Sequence, residues 1–479
     1  MNEFKEMKEL YQSGETQTLT WRLTQLQTLK TLITTHTNDL LLALHQDLNK
    51  TNSEGLLTEI NLIVKEIDFI SSNLASWIEV EQVPSPTLLT PCYSEVRYEP
   101  KGVCLIIGSC NYPVNLTLLP AVGSLASGNP TVIKPSELCI ESSKVLHKLI
   151  SQYFDKSICR VVEGGIPETT SLLKQTWGII LFTGSERVAK IIAQEASNTL
   201  SPVLLELGGK SPTYIDIDCP SDMRTIAMRI VWGKLMNVGQ TCVAPDYVLV
   251  HESHYNAFCK EALEAIKRMF PNDTIKTDLP RMATVAHAQR QVSLIKELEA
   301  KLPSSSIPFG GSKYCNTSQK YIHPTIILNP PLDSKLMTEE IFGPILPILP
   351  ISSTSHALSF LKQQTIDKTP LALYIFTTNN TTFETFVRNI KSGGVLRNDV
   401  ILQYANMNVP FGGLGTSGYG SYHGKYSIEA FSHKRAVLYK PAVRMFEFGD
   451  LRYVFFKLEC LFIHIFQGII HIQSSLHLY

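Results

Sequence analysis

The sequence predicts an α/β protein built on a mainly parallel sheet with helices on both faces. Between residues 103 and 185, short apolar runs alternate with segments of helical periodicity, and such an alternation folds into βαβ units. The strand-like runs, for example VCLIIGS (103–109) and GIILFTGS (178–185), are continuously apolar, as strands covered on both faces are. The chain has 479 residues, more than the ~250–300 of a single core, so two or three domains are expected.

The first 80 residues are predicted to be helical. In TQLQTLKTLITTHTNDLLLALHQDL (24–48), apolar residues recur every three or four positions without interruption by Gly or Pro. LLTEINLIVKEIDFISSNLASWI (56–78) repeats this pattern. The next stretch, PSPTLLTPCYSEVRYEPKG (84–102), has four prolines and short β-like pieces, which predicts a linker or an extended arm.

Strands and helices then alternate along the chain. The predicted strands lie at 103–109, 131–136, 158–164 and 178–185, and the predicted helices at 115–129, 141–154 and 168–176. After LLELGGKSPTYIDID (204–218) the series restarts with a helix over about 221–237, a strand at 247–253 and a helix at 256–270. We therefore expect a second α/β domain that extends to about residue 400. A glycine-rich stretch follows at 409–427, and its strand-like sequel at 434–443 is able to pair with another element.

Composition excludes several classes of function. The 43 basic and 43 acidic residues cancel, which argues against a nucleic-acid surface or a strongly acidic partner. None of the ten cysteines forms a CxxC pair, and no Cys/His spacing is typical of zinc, so no metal site is predicted. The charged N-terminus lacks the apolar core of a signal peptide. Reduced thiols and a cytoplasmic location are therefore expected.

The segment YVFFKLECLFIHIFQGIIHI (453–472) is the most apolar window of the chain. Its polar residues make it a poor membrane-spanning helix, and several of them share one helical face. An amphipathic helix is therefore predicted. It would lie on a membrane surface or pack against the protein or a partner subunit, and the sequence leaves both open.

One cysteine stands in an unusual context. In LMNVGQTCVAPDY (235–247), Cys242 follows a long predicted helix and a glycine, so it is expected in a tight, irregular loop. Cysteines are most often small buried hydrophobes, but loops of this kind carry chemistry more often than packing. Cys242 is therefore a candidate nucleophile.

Two further polar residues are candidates for chemistry. Glu206 ends an apolar strand just before two glycines, where a half-buried carboxylate can have a raised pKa and act as a base. The alternative for Glu206 is a salt-bridged strand end. Asn111, in SCNYPVN, is either a turn residue or a donor to an oxyanion. The residues alone do not decide between these roles.

Three loops follow predicted strands, at the edge where doubly wound sheets bind ligands. They are GSCNYP (108–113), KPSE (134–137) and FTGSERVAK (182–190). The last is able to open a helix with free N–H groups for a phosphate. The G-x-G-x-x-G fingerprint is absent, however, since Ala189 stands where a final glycine is usual. A nucleotide site stays open on this pattern.

Taken together, these stretches resemble the aldehyde dehydrogenase superfamily from about residue 5 to 440. The stretches that carry the resemblance occur in family order: NYPVNLTLLPAVGSLASGN, VIKPSE, FTGS, LELGGKSP, GQTCVAPDY, EEIFGPILP, PLALYIF, SGGV and PFGGLGTSGYGSYHGKYSIEAFSHKRAVL. GQTCVAPDY and SYHGK are similar to the class 3 branch, which includes fatty aldehyde dehydrogenases. The resemblance implies NAD(P)-dependent oxidation of aldehydes, preferably hydrophobic aliphatic or aromatic ones, to carboxylic acids.

The resemblance also implies catalytic roles. Cys242 would attack the aldehyde to form a thiohemiacetal, and Asn111 with the backbone N–H of Cys242 would hold the oxyanion. Loss of hydride leaves a thioester, which Glu206 would hydrolyse by activating water. A thiolate is a good nucleophile and a thioester is readily hydrolysed, so one difficult step becomes two easier ones.

Cofactor contacts carry over in the same way. Lys134 and Glu137 would bind the adenine ribose, and Gly184 and Ser185 would begin the helix that faces the pyrophosphate. The remaining implied contacts, with the nicotinamide ribose and ring, are Glu340 and Phe342. A carboxylate at position 137 favours a free 2′-hydroxyl and hence NAD, with NADP also possible.

The implied architecture is an aldehyde dehydrogenase-like, Rossmann-type cofactor domain with an α/β catalytic domain and a β oligomerisation arm. The expected ranges are 1–83 and 103–209 for the cofactor domain, 210–405 for the catalytic domain, 84–102 and 428–445 for the arm, and 446–479 for an apolar tail. A homodimer is expected. The tail invites comparison with the hydrophobic anchor of fatty aldehyde dehydrogenases, although its polar residues weaken the analogy.

Two departures and two rival functions accompany the resemblance. Cys110 stands where the family usually has Trp, and Ala189 replaces a usual glycine. One rival is a CoA-acylating dehydrogenase, against which Glu206 argues because that subgroup generally lacks the base. The other is a non-catalytic relative with a structural or membrane-associated role, against which the intact Cys242, Glu206 and Asn111 argue.

Overall fold

The computed structural model describes residues 4–442. The predicted amphipathic segment at 453–472, with the rest of the tail at 446–479, lies outside these residues. The described chain divides into two compact units. The larger comprises the residues up to 78 together with 99–433, and the smaller comprises 79–98 together with the residues from 434 onward.

Helices occur along the whole described chain. In order, α1 to α17 span Lys5–Gln12, Leu19–Thr35, Thr37–Leu48, Asn52–Gly55, Asn61–Trp77, Asn115–Ala126, Ile140–Tyr153, Ile166–Leu173, Glu186–Ser197, Met223–Leu235, Glu252–Met269, Ile275–Asp278, Val285–Glu299, Lys335–Thr338, Thr354–Thr365, Asn380–Asn389 and Lys425–Phe431. A π-helical turn, Leu56–Ile60, joins α4 to α5, and a 3-10 turn, Met236–Gly239, follows α10.

The strands form three sheets. In order, β1 to β15 span Glu81–Val83, Tyr93–Pro100, Cys104–Ile107, Thr131–Lys134, Cys159–Val161, Ile179–Thr183, Val203–Glu206, Pro212–Ile215, Tyr247–His251, Thr325–Leu328, Ile345–Ile351, Ala372–Phe376, Gly394–Arg397, Gly418–Tyr419 and Ser432–Tyr439. The first large sheet has the order β14-β7-β6-β3-β4-β5, and the second has the order β10-β11-β9-β8-β12-β13. All pairings in the second sheet are parallel, and so are those of the first except β14 with β7.

The central strand β3 of the first sheet is buried on both faces because all its residues are apolar. In β3, Cys104 and Ile106 belong to one core, while Leu105 and Ile107 belong to another. The first core includes residues of α2, α5, α6 and α7, and the second includes residues of α1, α8 and α9. Successive side chains of a strand point to opposite faces, so one continuous apolar run supplies two cores. The predicted α/β fold class is therefore confirmed.

The structure ends the predicted helix at 221–237 two residues early. Helix α10 stops at Leu235, because Asn237 and Val238 both have a φ of 51°, in the left-handed region. Left-handed backbone is unfavourable for residues other than glycine, and a β-branched residue such as Val238 is rare there. The chain therefore turns sharply just before Cys242.

The glycine-rich stretch at 409–427 contributes a strand that the sequence did not predict. Strand β14 pairs antiparallel with β7, with Gly418 opposite Glu206. Gly418 has a φ of 122°, and a Cβ there would lie 1.9 Å from the carbonyl oxygen of Leu205. Only glycine allows this close approach.

The smaller sheet has the order β1-β2-β15, and β1 pairs antiparallel with β2. The strand-like sequence from 434 lies in β15, whereas residues 428–431 of the expected arm belong to α17. Strand β1 begins at Glu81, ahead of the expected arm boundary at 84. Among residues 4–442, no helix combines the length and the apolar composition that crossing a bilayer requires.

Candidate active site

A cavity of about 210 Å³ brings together three of the predicted motifs. It contains Cys242 from the loop after α10, Glu206 from the end of β7, and Thr183 from the end of β6. The rest of its wall is mainly apolar or aromatic and comprises Leu57, Thr58, Leu62, Tyr112, Asn115, Leu116, Trp232, Met236, Thr241, Val243, Ile401, Leu402, Tyr404, Ala405, Phe411 and Tyr422. The two main candidates for covalent and acid–base chemistry thus share one pocket.

Cys242 differs from the structural thiols of the chain. Cys104, Cys139 and Cys159 are buried in the cores, whereas Cys242 is partly exposed and lines the cavity. Burial, followed by the charges of Glu206 and Glu340, raises the pKa of the Cys242 thiol. Hydrogen bonds from the backbone N–H groups of Cys242 and Val243 act in the opposite direction. The resting group is therefore a thiol whose proton a base must remove.

Glu206 has no partner for its charge. Its side chain is 2% exposed, and neither carboxylate oxygen accepts a hydrogen bond from the described residues. Burial alone raises the pKa of Glu206 well above 4.5. The residue is thus fully rather than half buried, and the salt-bridge alternative is wrong. A carboxylate with a raised pKa in an apolar site is suited to general base catalysis.

Asn111 lies against the Cys242 loop. Its side chain is buried, and Nδ2 donates a 3.0 Å hydrogen bond to the carbonyl of Gln240, two residues before the cysteine. The backbone carbonyl of Asn111 accepts hydrogen bonds from Lys50 Nζ at 3.0 Å and from Asn237 Nδ2 at 2.7 Å. The Asn111 amide therefore has a fixed place and still has a second N–H available as a donor.

Lys134 and Glu137 form an ion pair at the carboxyl edge of the first sheet. Lys134 ends β4 and is 2% exposed, and its Nζ lies 2.9 Å from Glu137 Oε2. Partial burial raises the pKa of Glu137, but the hydrogen bond and charge of Lys134 outweigh it, so the pKa is lowered. Glu137 is therefore an ionised acceptor that faces solvent.

Strand β6, which β3 separates from β4 in the first sheet, leads into a helix with an open N-terminus. Gly184 follows β6, and Ser185 is the N-cap residue of α9 but makes no side-chain capping bond. A Cβ at Gly184 would lie 2.3 Å from the ring of Phe182. An uncapped helix N-terminus is a suitable place for a phosphate. Ala189, a residue of α9, is 1% exposed, and its side chain packs in the core that this helix covers.

Glu340 packs against the glycines that follow Glu206. A Cβ at Gly208 would lie 2.2 Å from Glu340 Oε2, and the backbone N–H of Gly209 bonds the same carboxylate. Burial raises the pKa of Glu340 to about 7. Phe342, two residues on, has a φ of 50°, in the left-handed region. Positions 206–209 and 340–342 are thus neighbours, although far apart in sequence.

The family follows from comparison with known proteins. The family model described as "Aldehyde dehydrogenase family" matches residues 4–437. The chain belongs to the aldehyde dehydrogenase family. It oxidises aldehydes to carboxylic acids with NAD(P) as cofactor, as the sequence predicts.

Individual relatives match this chain over about nine-tenths of its length. "Aldehyde dehydrogenase family 3 member A2" of Mus musculus is 41% identical over 91% of this chain and 87% of its own length. "Aldehyde dehydrogenase, dimeric NADP-preferring" of Canis lupus familiaris is 41% identical over 90% of this chain and 92% of its own. A substrate-bound structure of Staphylococcus aureus AldH has a TM-score of 0.86 and 37% identity, and covers 92% of this chain and 94% of that one. The predicted class 3 resemblance is confirmed.

Sequence reasoning missed an ion pair of this aldehyde dehydrogenase that joins three motifs. Lys210, from LELGGKSP, is paired with Asp246, from GQTCVAPDY. Lys210 Nζ also donates to the carbonyls of Leu336 and Glu339, and Asp246 Oδ2 accepts from the N–H of Ile341 at 2.9 Å. The pair therefore ties the Cys242 loop to the segment that carries Glu340. The sequence offered one signal for this pair, since Lys210 and Asp246 each belong to a motif that carries the family resemblance.

Cys110 takes the usual tryptophan position without lining the cavity. Its side chain packs against Leu48, Cys139 and Ala283, and burial raises the pKa of its thiol to about 11. The side chain of Cys110 therefore fills a small apolar cluster and does not face the cavity. Within residues 4–442, no group of His, Cys, Asp and Glu side chains is placed to hold a metal ion.

Replacing Glu206 by glutamine is expected to stabilise the fold at pH 8, by about 1.4 kcal/mol for each pH unit, up to pH 8, between the unfolded-state and folded-state pKa values of the carboxyl. Burial raises the folded-state pKa above 4.5, so the folded protein keeps a proton that the unfolded chain releases as the pH rises. The free energy of unfolding of the wild type therefore falls as the pH rises above about 4.5, whereas that of the glutamine variant does not.

Urea unfolding between pH 4 and pH 8 measures this difference, which should vanish near pH 4. Glu384→Gln, at an exposed position, is the control and should show no such trend. A Glu206→Gln variant that is less stable than wild type at pH 8 would contradict the interpretation.

Proposed function

We propose that Cys242 is the nucleophile and Glu206 the base of this aldehyde dehydrogenase, and that Asn111 stabilises the oxyanion. The observation that carries the proposal is the shared apolar cavity. It contains a partly exposed thiol and a carboxylate without any hydrogen-bond partner. A structural role would not require either group to face a cavity in this state.

The reaction begins with proton removal from the thiol. Ionised Glu206 accepts the proton, and the sulfur of Cys242 attacks the carbonyl carbon to form a thiohemiacetal. The negative charge on the former carbonyl oxygen accepts hydrogen bonds from the Asn111 amide and the backbone N–H of Cys242. A donor of this kind is typically worth about 3–4 kcal/mol.

When bound, NAD(P)⁺ accepts the hydride and so supplies the oxidation. Cys242 then holds the acyl group as a thioester. Glu206 first releases the thiol proton to solvent. It then takes a proton from water as the water attacks the thioester carbon, and passes that proton to the sulfur as the C–S bond breaks, which releases the acid and restores the thiol. The apolar wall excludes other water, which limits competing proton transfers.

We infer that the carboxyl edge of the first sheet binds the cofactor. The Lys134–Glu137 pair presents a charged donor and acceptor suited to the hydroxyl groups of the adenine ribose. Gly184 and Ser185 begin the uncapped helix N-terminus for the pyrophosphate. Glu340 and Phe342 lie beyond the glycines that follow Glu206 and would contact the nicotinamide ribose and ring. The carboxylate at 137 favours NAD over NADP, because a 2′-phosphate would meet a like charge.

Loss of the thiol should abolish the reaction. Cys242→Ala is expected to form no NADH from a medium-chain aldehyde and NAD⁺, whereas the wild type forms it without added CoA. Glu206→Gln is expected to slow both the first turnover and the later ones by about 10²–10⁴-fold, because the same carboxylate removes the thiol proton and activates water. Stopped-flow absorbance at 340 nm measures both.

Cys219→Ala is the matched control, since Cys219 is partly exposed and is not part of the cavity wall. A normal rate in Cys242→Ala would remove the central assignment. A requirement for CoA would favour the acylating rival.

The cavity wall favours hydrophobic aldehydes, aliphatic or aromatic, as substrates. Apart from the reacting groups, its polar side chains are few, and several of these are already bonded within the protein. An alkyl or aryl chain gains free energy roughly in proportion to the area it buries there, at about 25 cal/mol per Å². Short, hydrated aldehydes gain less.

A charge in the cavity wall should therefore discriminate between substrates. Leu57 contributes to the wall and is 57% exposed, so Leu57→Asp is compatible with folding. The variant is expected to raise the KM for octanal about 10-fold and leave that for acetaldehyde unchanged, because the carboxylate must be desolvated against the alkyl chain. Leu42→Asp, at 56% exposure outside the wall, is the control. Equal effects on both substrates would contradict the hydrophobic preference.

We infer a homodimer, since the name of the canine relative describes that protein as dimeric. In this proposal residues 1–83 and 103–209 bind the cofactor, 210–405 complete the catalytic domain, and 84–102 with 428–445 join the subunits. The three-stranded sheet of the smaller unit supplies strands for such an arm. We also propose a cytoplasmic enzyme with a peripheral membrane contact through the apolar tail at 446–479.

Removing residues 446–479 should release the enzyme from membranes. The full chain is expected to sediment in part with membrane vesicles, because an amphipathic helix buries its apolar face in the interface. The truncated chain should remain in the supernatant with unchanged activity. Equal partitioning of the two chains would reject the membrane contact.

A further inference from the structure

The N-terminal helical segment contains a fully buried ion pair. Lys50 Nζ lies 2.5 Å from Glu59 Oε1, and both side chains are 0% exposed. Burying two charges costs several kcal/mol per ion, and a buried pair seldom stabilises a fold more than apolar residues of the same size would. The pair therefore calls for an explanation other than stability.

The remaining side-chain hydrogen bonds of the pair within the described residues are made with residues 111–115. Lys50 Nζ donates to the backbone carbonyl of Asn111 at 3.0 Å and lies 4.1 Å from the ring centre of Tyr112. The second oxygen of Glu59 accepts from the backbone N–H groups of Val114 at 3.1 Å and Asn115 at 2.8 Å. The pair thus forms hydrogen bonds with both ends of the short turn that begins at Asn111 and leads into α6.

A second carboxylate of the same segment, that of Glu54, contacts the turn that precedes Cys242. Glu54 Oε1 accepts a 2.6 Å hydrogen bond from the backbone N–H of Asn237, the first of the left-handed residues before Cys242. The Asn237 side chain in turn donates to the Asn111 carbonyl at 2.7 Å and to the Gln240 carbonyl at 3.2 Å. The Asn111 carbonyl is therefore the point where the two sets of contacts meet.

The backbone of this segment is unusual where it carries Glu59. Residues Leu56–Ile60 form a π-helical turn, a rare conformation that is frequent at functional sites. Leu57 and Thr58 of the same turn line the cavity. One turn thus supplies part of the substrate wall and one half of the buried ion pair.

We propose that Lys50 and Glu59 are positioning residues for aldehyde oxidation, which act by fixing the Asn111 backbone so that its amide meets the oxyanion formed at Cys242. The inference rests on the proposed role of Asn111. A shift of about 1 Å in such a donor can lower the rate of the chemical step about 10²-fold. The pair would therefore act on the chemistry and not on substrate affinity.

A double-mutant cycle tests the proposal with the full-length enzyme and saturating NAD⁺. Lys50→Met alone leaves a lone buried carboxylate and can fail to fold, so the main variant is Lys50→Met/Glu59→Gln, which removes both charges and keeps an oxygen for Val114 and Asn115. The readout is the single-turnover rate of NADH formation from octanal, with the octanal concentration at half-maximal rate. Glu59→Gln alone is the milder second variant.

The pair variant is expected to lose about 10–100-fold in single-turnover rate, with less than a threefold change in half-saturating octanal. Asn111→Ala should lose about 10²–10³-fold, the usual effect of removing an oxyanion donor. In the Asn111→Ala background, the pair variant should lose less than about twofold more, because the group it positions is gone.

Arg22→Met provides the matched structural control. Arg22 is also buried, and its Nη1 donates to the carbonyl of Ala126 at the opposite end of α6, 3.4 Å away. The Arg22→Met enzyme should have a lower melting temperature than the wild type but the same single-turnover rate.

Three results would overturn the positioning role. They are a wild-type rate in the pair variant, an equal loss with and without Asn111, and a comparable rate loss in Arg22→Met. A wild-type rate in Asn111→Ala would instead show that the proposed oxyanion role itself is wrong.

Discussion

The proposed active site depends on a carboxylate that the fold buries without a partner among the described residues. Glu206 is the last residue of β7 and has neither an ion pair nor a hydrogen bond from the described residues. Desolvation raises its pKa, and its charge in turn helps to raise that of Cys242. The apolar wall that would suit a hydrophobic aldehyde is therefore also the feature that raises the pKa of both proposed reacting groups. Substrate preference and acid–base chemistry are set by one physical condition, the exclusion of water.

Such a site is unfavourable in itself, so the scaffold must hold it by other means. The left-handed run before Cys242 is stabilised by contacts from Glu54 and Asn237. The Lys210–Asp246 pair fixes the segment at 340–342 relative to the same loop. These charged contacts lie around the cavity, and the apolar residues form its wall. The arrangement separates rigidity, supplied by polar groups outside the cavity, from reactivity, supplied by desolvation inside it.

The sequence predicted the fold well where the signal is local. Continuously apolar runs identified the parallel strands, and the position of Glu206 at a strand end followed from the two glycines after it. The grouping of Cys242, Glu206 and Asn111 came from family resemblance, because no periodicity relates residues so far apart in the chain. The ion pairs of Lys50 and Lys210 were missed for a related reason. A lysine between two helices, such as Lys50, or after a strand, such as Lys210, carries no local mark of burial, and its partner becomes evident only once the chain has folded. Strand β14 was missed because two residues within a glycine-rich stretch have no strand pattern of their own.

The pairing of β14 with β7 also determines when the site is complete during synthesis. Gly418, which pairs with Glu206, is synthesised 212 residues after it, and Tyr422, which lines the same cavity as Cys242, is synthesised 180 residues after that cysteine. The cavity, and the desolvation that depends on it, can therefore be complete only after residue 422 has been synthesised. A truncated product that ends before this stretch would have the reacting groups without the enclosure that makes them an enzyme.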